Sequence, residues 1–496
     1  FPAGNWFRQP TTDNRRRVQV RVRRRVRTCS SQLLTTTSTI IHHQDKQTNH
    51  LDRMRMGRIL AAAWLCRTSV AFVSRELAGK GHAPALHTRV ATATATTRLF
   101  SVSRSDIEAD AQSGISRLAT LRAMLSSHGA PGSIGCASPN GDLEPVFPVA
   151  TLEDNDEDET PELVATIAGS TALEFSNLHP HLYPLARSKS TGNYVCALRR
   201  AFAEDASYEN SSKAPWPIVE ARVGGPGMRL LALNSEYLMR RIACEVDFED
   251  ENDDDENESE NENNDDNKKL IDLYNEDLGK GILTDKGLDQ PYEKGSVEKL
   301  GYGVDKYVLL RVGPFPDIYS KLALGHAKRD DESSSLIAAE AANGKISGFA
   351  STFLFYASLL DTFPNRSEET RDAARMCLRM PISSIGLGPE DFRDVGIYGQ
   401  LASEDDSDEE IFAKLQIMYE KMRDHENEDP RVTGGVGGSN DMTPEQMAID
   451  EANYLLDICS LTGSNWSAVR PKLAEIYKSV GRDDMANFVN PSRDAA

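Results

Sequence analysis

The sequence predicts a mainly α-helical protein of antiparallel helical hairpins, with a small α+β module and disordered segments. Three observations support this fold class. Apolar residues recur at helical spacing through most of residues 300–490, with capping signals and prolines between the runs. Strand-like runs cluster between residues 193 and 233. Residues 247–267 are almost wholly acidic or amide side chains, which cannot form a core.

Residues 1–53 are interpreted as a leader that precedes the true start, untranslated or disordered. They contain no methionine, so Met54 or Met56 is the first possible start. Their arginine clusters could instead form a nucleic-acid-binding arm, and we favour the leader. We therefore assign residues 1–53 no function.

Residues 54–104 have the parts of a targeting leader in order. Residues 54–71 combine a basic start, a short apolar run and a small-residue exit, as in a signal peptide. Residues 72–104 are rich in Arg, Ser and Thr with one acid, Glu76, as in a transit peptide. This order, joined at Ala71-Phe72, resembles the bipartite leader of algae whose plastids lie inside extra membranes. The resemblance implies the plastid (chloroplast) stroma; a secreted protein with an unusual propeptide is the alternative.

The composition favours protein partners over nucleic acid. The net charge is −20, and residues 1–105 hold 19 basic but only 4 acidic residues, so the remainder is more acidic still. A nucleic-acid surface needs clustered cations, so we expect no nucleic-acid partner. No apolar run reaches transmembrane length. The five cysteines after the leader are scattered and form no CxxC pair, so we predict no metal and no cofactor.

Residues 105–246 are predicted to form an N-terminal helix and the small α+β module. The helix is expected to begin at Ser105 and to end at Gly129. Strands are predicted from Asn193, Trp216 and Met228, followed by a helix capped by Asn234 or Ser235. The acidic segment 247–267 is predicted to be a disordered insert; a tolerated surface insertion is favoured over an interaction tail or a cation buffer.

Residues 300–490 are predicted to form a helical-repeat-like domain. Two segments have the pattern of a helix, a turn and a helix, one with its turn at Asn365-Arg366 and the other with its turn at Gly481. The spacing of Leu473, Ala474, Tyr477, Gly481 and Ala486 resembles a tetratricopeptide (TPR) repeat, which implies a TPR-like α-solenoid. Generic antiparallel helix packing is the alternative.

Several blocks of this region together resemble an uncharacterised family of plastid-targeted proteins of plants and algae. The blocks are YVLLRVGPFPDIYSKL, SLIAAEAANGKISGFASTFLFYASLL, RDAARMCLRMP and AIDEANYLLDICSLTG. The resemblance covers about residues 300–490. It implies a plastid location and a helical fold, but no activity and no catalytic residues.

The candidate partner-binding residues are four arginines and one tyrosine: Arg199, Arg200, Arg240, Arg241 and Tyr477. The arginine pairs are unusual in an acidic chain, so they could bind an acidic partner. Internal pairing with Glu220 and Glu245 is the interpretation we favour. His179-Pro-His181 is a close histidine pair, but its spacing identifies no further metal ligand.

We therefore expect a non-catalytic plastid protein that acts as an interaction scaffold or as an assembly or stability factor for a plastid complex. The alternative is an enzyme of plastid metabolism with a site between the α+β module and the helical domain. Its candidate residues are Arg199, His179 and Glu220. A deep pocket with converging polar groups would favour the enzyme.

Overall fold

A computed structural model describes most of residues 111–490. The described residues are 111–137, 142–150, 163–167, 170–174, 177–201, 215–252, 261–276, 278, 288, 290–428, 443–463 and 465–490. The predictions for residues 1–53, 54–71 and 72–104, and the helix start at Ser105, lie outside these ranges.

The described part is mainly helical and contains one antiparallel sheet. Its strands are β1 (Leu143–Ala150), β2 (Leu163–Ile167), β3 (Ser170–Glu174), β4 (Leu182–Ser188), β5 (Tyr194–Leu198), β6 (Ile218–Ala221) and β7 (Met228–Ala232). Helix α1 (Leu118–His128) precedes the sheet. The helices after it are α2 (Ser235–Asn252), α3 (Asn261–Glu276), α4 (Ser296–Leu300), α5 (Val304–Arg311), α6 (Pro316–Ala327), α7 (Glu332–Lys345), α8 (Ser351–Asp361), α9 (Ser367–Met376), α10 (Pro389–Tyr398), α11 (Asp408–Glu428), α12 (Pro444–Thr462), α13 (Trp466–Ser479) and α14 (Asp483–Val489).

The sheet has the strand order β3-β2-β1-β4-β5-β6-β7, and every neighbouring pair is antiparallel. The predicted strands β5, β6 and β7 and the following helix α2 are confirmed. Strands β1–β4 were not predicted. In β1 and β4, prolines at 145, 148 and 184 interrupt the strand pattern, and β4 accommodates Pro184 next to an irregularity in its pairing with β5.

Both faces of the central strands are buried. On one face, Leu185, Val195 and Ile218 pack in a cluster with residues of α1 and α2. On the other face, Tyr194, Cys196 and Val219 pack in a cluster with Ile346 and Phe349, which follow α7. All four residues of β6 are buried, so this strand is part of the core on both sides.

Helix α1 is held to α2 and α3 through one arginine. Arg117, which precedes α1 with a left-handed φ of 50°, donates through Nε to Glu236 Oε1 at 3.0 Å and pairs through Nη2 with Glu236 Oε2 at 2.5 Å. Its Nη1 donates to the Tyr274 carbonyl at 2.6 Å. The predicted single helix is interrupted at residues 115–117, where Arg117 takes up the left-handed conformation, so helix α1 begins only at Leu118. Its predicted end at Gly129 is confirmed, because this glycine has a φ of 88° and its N–H donates to Leu125 O.

The helical region consists of hairpins, as the sequence predicts. Helix α8 turns into α9 at Asn365, with a left-handed φ of 63°, and α13 turns into α14 at Gly481, with a φ of 73°. The capping box of α12 is also confirmed, since Thr443 and Gln446 bond reciprocally at its N-terminus. Within the described residues, no helix is long and apolar enough to cross a membrane.

The structure differs from the predicted disorder of residues 247–267 at both ends of that segment. Helix α2 continues to Asn252, and α3 begins at Asn261. Asp247 is fully buried, accepts the Tyr292 hydroxyl at 2.6 Å and accepts the Gly295 N–H at 2.9 Å. These donors compensate the burial of an acid that composition alone assigns to solvent. Residues 253–260 lie outside the described part.

We expect Gly227→Ala to lower the free energy of unfolding by about 1–3 kcal/mol, because the added methyl overpacks a backbone contact. A Cβ at this position would lie 1.6 Å from the Gly386 carbonyl oxygen, so β7 and the segment before α10 would have to separate. Gly344→Ala in α7 is the control: its Cβ meets nothing within 4 Å, and we expect a gain of about 0.5–1 kcal/mol. Urea unfolding compares the two, and equal effects would contradict this packing.

Candidate functional site

Four of the residues singled out in the sequence, His179, His181, Arg199 and Tyr477, lie where the C-terminal helices meet the sheet. We call this region the C-terminal junction and define it by His179, His181, Arg199, Arg470 and Tyr477. The two histidines lie just before β4, Arg199 follows β5, and Arg470 and Tyr477 belong to α13. All five side chains are buried. The junction therefore joins segments about 290 residues apart in the chain, as in the Arg470–Leu178 contact.

Arg470 is the central anchor of the junction. Its Nη1 donates to the Val489 carbonyl at 2.8 Å, and its Nη2 donates to the Leu178 carbonyl at 2.7 Å. Burial lowers the pKa of this arginine to about 10, which still leaves it charged at neutral pH. One guanidinium thus connects α13, the end of α14 and the start of the β4 segment.

The two histidines are neutral core residues. His181 Nε2 lies 2.7 Å from the Tyr477 hydroxyl, and the His181 N–H donates to His179 Nδ1 at 3.3 Å. The His179 ring packs edge-on against Trp466, with the ring centroids 4.6 Å apart. Because His179 Nδ1 is an acceptor, its proton lies on Nε2, for which the described residues provide no acceptor. The contacts of His181 with Tyr477 and of His179 with Trp466 indicate that the two histidines pack in the core rather than bind a metal.

Arg199 pairs with an acid other than the predicted Glu220. Its Nη2 lies 2.8 Å from Asp484 Oδ2 in α14, and its guanidinium packs 4.9 Å from the centroid of the Phe488 ring. The Arg199 N–H also donates to the His181 carbonyl at 2.9 Å. This arginine therefore holds α14 against the sheet.

The other three arginines also make contacts within the chain. Arg241 binds both carboxylate oxygens of Asp317 at 2.8 and 2.6 Å and, as predicted, pairs with Glu245 at 2.8 Å. Arg240 donates to the Gln290 carbonyl at 3.0 Å. Arg200, which is half-buried, lies 5.7 Å from the centroid of the Phe349 ring.

The structure therefore places four of the five candidate partner-binding residues in the interior and the fifth at its edge. Three of the arginines bond within the chain, which is the interpretation that we favoured from the sequence. The sequence did not identify these partners: Asp484 for Arg199, the Gln290 carbonyl for Arg240 and Asp317 for Arg241. A role of these residues in partner binding stays a prediction.

Glu220 is a buried structural acid. It is fully buried and accepts from the backbone N–H groups of Ile134 and Gly135, both at 2.8 Å, and from Asn193 Nδ2 at 2.7 Å. These three donors satisfy the carboxylate without a cation. Glu220 thus fixes the turn after α1 against β5 and β6.

The residues of the enzyme alternative do not form one site. Glu220 bonds to the turn after α1, whereas His179 and Arg199 contact the C-terminal helices. A depression of about 350 Å³ lies beside α1, lined by Gln112, Leu118, Ala119, Arg122, Ala123, Ser126 and Pro145. None of the three candidates lines it. Among the described residues, no group of three or more His, Cys, Asp or Glu is arranged to hold a metal ion.

Sequence reasoning missed the residues that organise these sites. Arg470 and Arg117 each bond to backbone carbonyls far away in the chain, at Leu178 and Tyr274. A carbonyl acceptor has no sequence signature, so neither arginine could be identified by a nearby acid. The residues around each arginine give no local signal that would have identified it.

We expect the protein to lose stability as the pH falls below about 6.5. Burial, followed by the neighbouring Arg199 and Arg470, lowers the pKa of His181 to about 3, and burial lowers the pKa of His179 well below its ordinary 6.5. Below pH 6.5 the unfolded chain binds protons that the folded chain excludes, so stability that is present above this pH is lost as the pH falls. From pH 6.5 to 5.5 the two histidines together remove about 2 kcal/mol.

Urea unfolding at a series of pH values, on the wild type and on His181→Gln, measures this effect. The variant is expected to lose about half of the pH-dependent change, because one of the two histidines no longer titrates. The same pH dependence in both proteins would contradict a neutral, buried His181.

Two domain models match the helical region, and one curated chloroplast protein is similar to the chain. The PAB middle domain model matches residues 316–402, and the PAB C-terminal domain model matches residues 415–492. The chain is 29% identical over 276 residues to "Protein IN CHLOROPLAST ATPASE BIOGENESIS, chloroplastic" of Arabidopsis thaliana, which covers 55% of this chain and 69% of that protein. No solved structure matches. These matches support a relationship to a plastid-related family of plants and algae; the TPR-like character stays a prediction.

Proposed function

We propose that this chain is a non-catalytic assembly factor for a plastid complex, and that this complex is the plastid ATPase. The observation that carries the proposal is the similarity over 276 residues to a protein named for chloroplast ATPase biogenesis. The two matched domain models cover helices α6–α10 and α12–α14, which belong to the helical-hairpin region. Helical hairpins provide extended surfaces for protein partners.

The interior chemistry supports a binding role rather than catalysis. Arg470, Arg199 and Glu220 bond to carbonyls, to an acid and to backbone N–H groups of the same chain. Groups that are engaged in this way stabilise a fold and position its surface, but they are not poised to meet a substrate.

The proposal includes a location. The bipartite leader over residues 54–104 would deliver the chain to the plastid stroma, leaving residues 105–246 as the α+β part and residues 300–490 as the helical domain. An assembly factor in the stroma would meet newly imported or newly made subunits there.

Affinity purification from plastids tests the proposal. The full chain carries a C-terminal tag in algal cells, plastids are isolated, and the retained proteins are identified by mass spectrometry at moderate salt. We expect at least one plastid ATPase subunit in near-stoichiometric amount, absent from an untagged control. A clean monomer or homo-oligomer without any such subunit would overturn the proposal.

A further inference from the structure

One surface of the helical region combines exposed apolar side chains with cations. We call it the α5–α6 face and define it by Tyr302, Lys306, Leu310, Lys321, Leu324 and Lys328. Tyr302 is 61% exposed, Leu310 is 66% exposed and Leu324 is 44% exposed. The three lysines are exposed as well. Large apolar residues this exposed and close together mark an interaction surface more often than residues scattered singly.

The six residues form two stripes, one along α5 and the turn before it and one along α6, and an ion pair joins the two helices. Lys306 Nζ lies 5.9 Å from the centroid of the Tyr302 ring, and Leu310 follows Lys306 by one helical turn. Lys321 Nζ lies 2.6 Å from Asp305 Oδ2, which joins the exposed sides of α5 and α6. Lys321, Leu324 and Lys328 follow one another at helical spacing along α6 and its C-terminal cap.

The face is cationic in a strongly acidic chain. Residues 299–329 contain six Lys and Arg against two Asp, a formal charge of +4, whereas the whole chain carries −20. One of these cations, Lys299, pairs with Glu293 outside this range and is not part of the face. Both acids are already paired: Asp305 with Lys321, and Asp317 with the buried Arg241. In the part of the chain that the structure describes, Lys306, Arg311 and Lys328 are not within ion-pair distance of a carboxylate.

The cationic character ends at the turn before α7. Asp331 caps α7 by accepting the Ser334 N–H at 3.1 Å, and Glu332 pairs with Arg366 at 2.9 Å. The face is therefore about the size of two helices, with apolar side chains between separated positive charges.

We propose that the α5–α6 face binds an acidic amphipathic segment of the protein that this chain helps to assemble. The inference rests on the proposed function and adds the chemistry of the partner. Tyr302, Leu310 and Leu324 would pack against the apolar side of the segment, and the uncompensated cations would bind its carboxylates. An apolar centre with a charged rim is the ordinary organisation of a protein interface, and complementary charge selects the partner.

The charge distribution favours a short protein segment over an anionic membrane or a nucleic acid. Screening limits surface electrostatics to about 8–10 Å at physiological salt. A short segment therefore meets only the positive face, whereas an extended anionic surface also meets the acidic remainder of the chain and is repelled.

Charge reversal on the face tests the proposal. In the tagged full chain, Lys306→Glu and Lys328→Glu are combined with Arg311→Glu, at the exposed residue next to Leu310. Lys321 is kept because it pairs with Asp305. A matched control combines Lys421→Glu, Lys472→Glu and Lys478→Glu, which are exposed on α11 and α13 and change the net charge equally. Both variants are first checked for wild-type thermal unfolding. We expect the face variant to retain about tenfold less partner from plastid extract, and the control to retain the wild-type amount.

A photo-reactive residue at position 310 identifies the bound segment. We expect the cross-linked peptide to be acidic and amphipathic, and we expect Lys substitutions at its acids to restore binding to the face variant. A partner retained equally by the wild type and the face variant, or a cross-linked segment without acids, would overturn this inference alone. Face-dependent binding to phosphatidylglycerol vesicles with unchanged partner binding would also overturn it. If the wild-type chain retains no ATPase subunit, that result overturns the proposed function instead.

Discussion

Arg470→Ala is expected to lower the free energy of unfolding by about 3–5 kcal/mol, the largest effect that we expect from any single substitution in this chain. The substitution leaves the carbonyls of Leu178 and Val489 without these donors and removes a buried side chain from the C-terminal junction. Loss of a charged hydrogen bond costs about 1.5–3 kcal/mol, and two are lost together.

Urea unfolding and hydrogen exchange measure this effect. Exchange should rise most in residues 466–490, because α13 and α14 lose their attachment to the sheet. Lys472→Ala is the control: this side chain is exposed and lies 3.8 Å from Glu451, and its removal should cost less than about 1 kcal/mol. Similar losses for the two variants would show that Arg470 does not anchor the junction.

Glu220→Gln is expected to lower the free energy of unfolding by about 2–4 kcal/mol. The amide keeps only one acceptor oxygen, and its NH₂ group then faces an N–H donor that the carboxylate accepts in the wild type. Ile134 donates to one carboxylate oxygen, and Gly135 and Asn193 donate to the other. The single oxygen of a Gln side chain cannot accept from all three donors. The turn after α1 should then detach locally from the sheet.

Thermal unfolding together with exchange of the Ile134 and Gly135 amides reports on this change. Glu144→Gln on β1 is the control, since Glu144 is partly exposed and lies 3.9 Å from Arg187, and its effect should stay below about 1 kcal/mol. Unchanged protection of the two amides in Glu220→Gln would contradict the structural role of this acid.

The sequence was informative wherever local chemistry decides structure. The α12 capping box at Thr443, the turn at Gly481 and the end of α1 at Gly129 depend on residues within a few positions, and all three are confirmed. Strand β4 was missed, because Pro184 disfavours a strand locally and only its neighbours in the sheet stabilise it.

The candidate site shows where sequence reasoning stops. The arginines stood out in an acidic chain, but Arg199 pairs with Asp484, a residue 285 positions away. Burial of Asp247 was likewise invisible, because its donors at Tyr292 and Gly295 are brought to it only by the packed fold. Long-range partners of this kind follow from tertiary structure and not from spacing.

The net charge of the whole chain also concealed the positive α5–α6 face. A net charge of −20 indicates an acidic protein, whereas residues 299–329 are positive and their two acids are engaged with Lys321 and Arg241. Only the arrangement of exposed and paired side chains separates this surface from its surroundings.

Depletion of the protein from algal plastids tests most directly whether it acts in assembly. Pulse labelling measures subunit synthesis, and native gels measure the assembled plastid ATPase in the same cells. We expect synthesis to continue at the control rate while the assembled complex falls several-fold, with recovery when the wild-type chain is restored. An unchanged amount of assembled ATPase after depletion would contradict the proposed role.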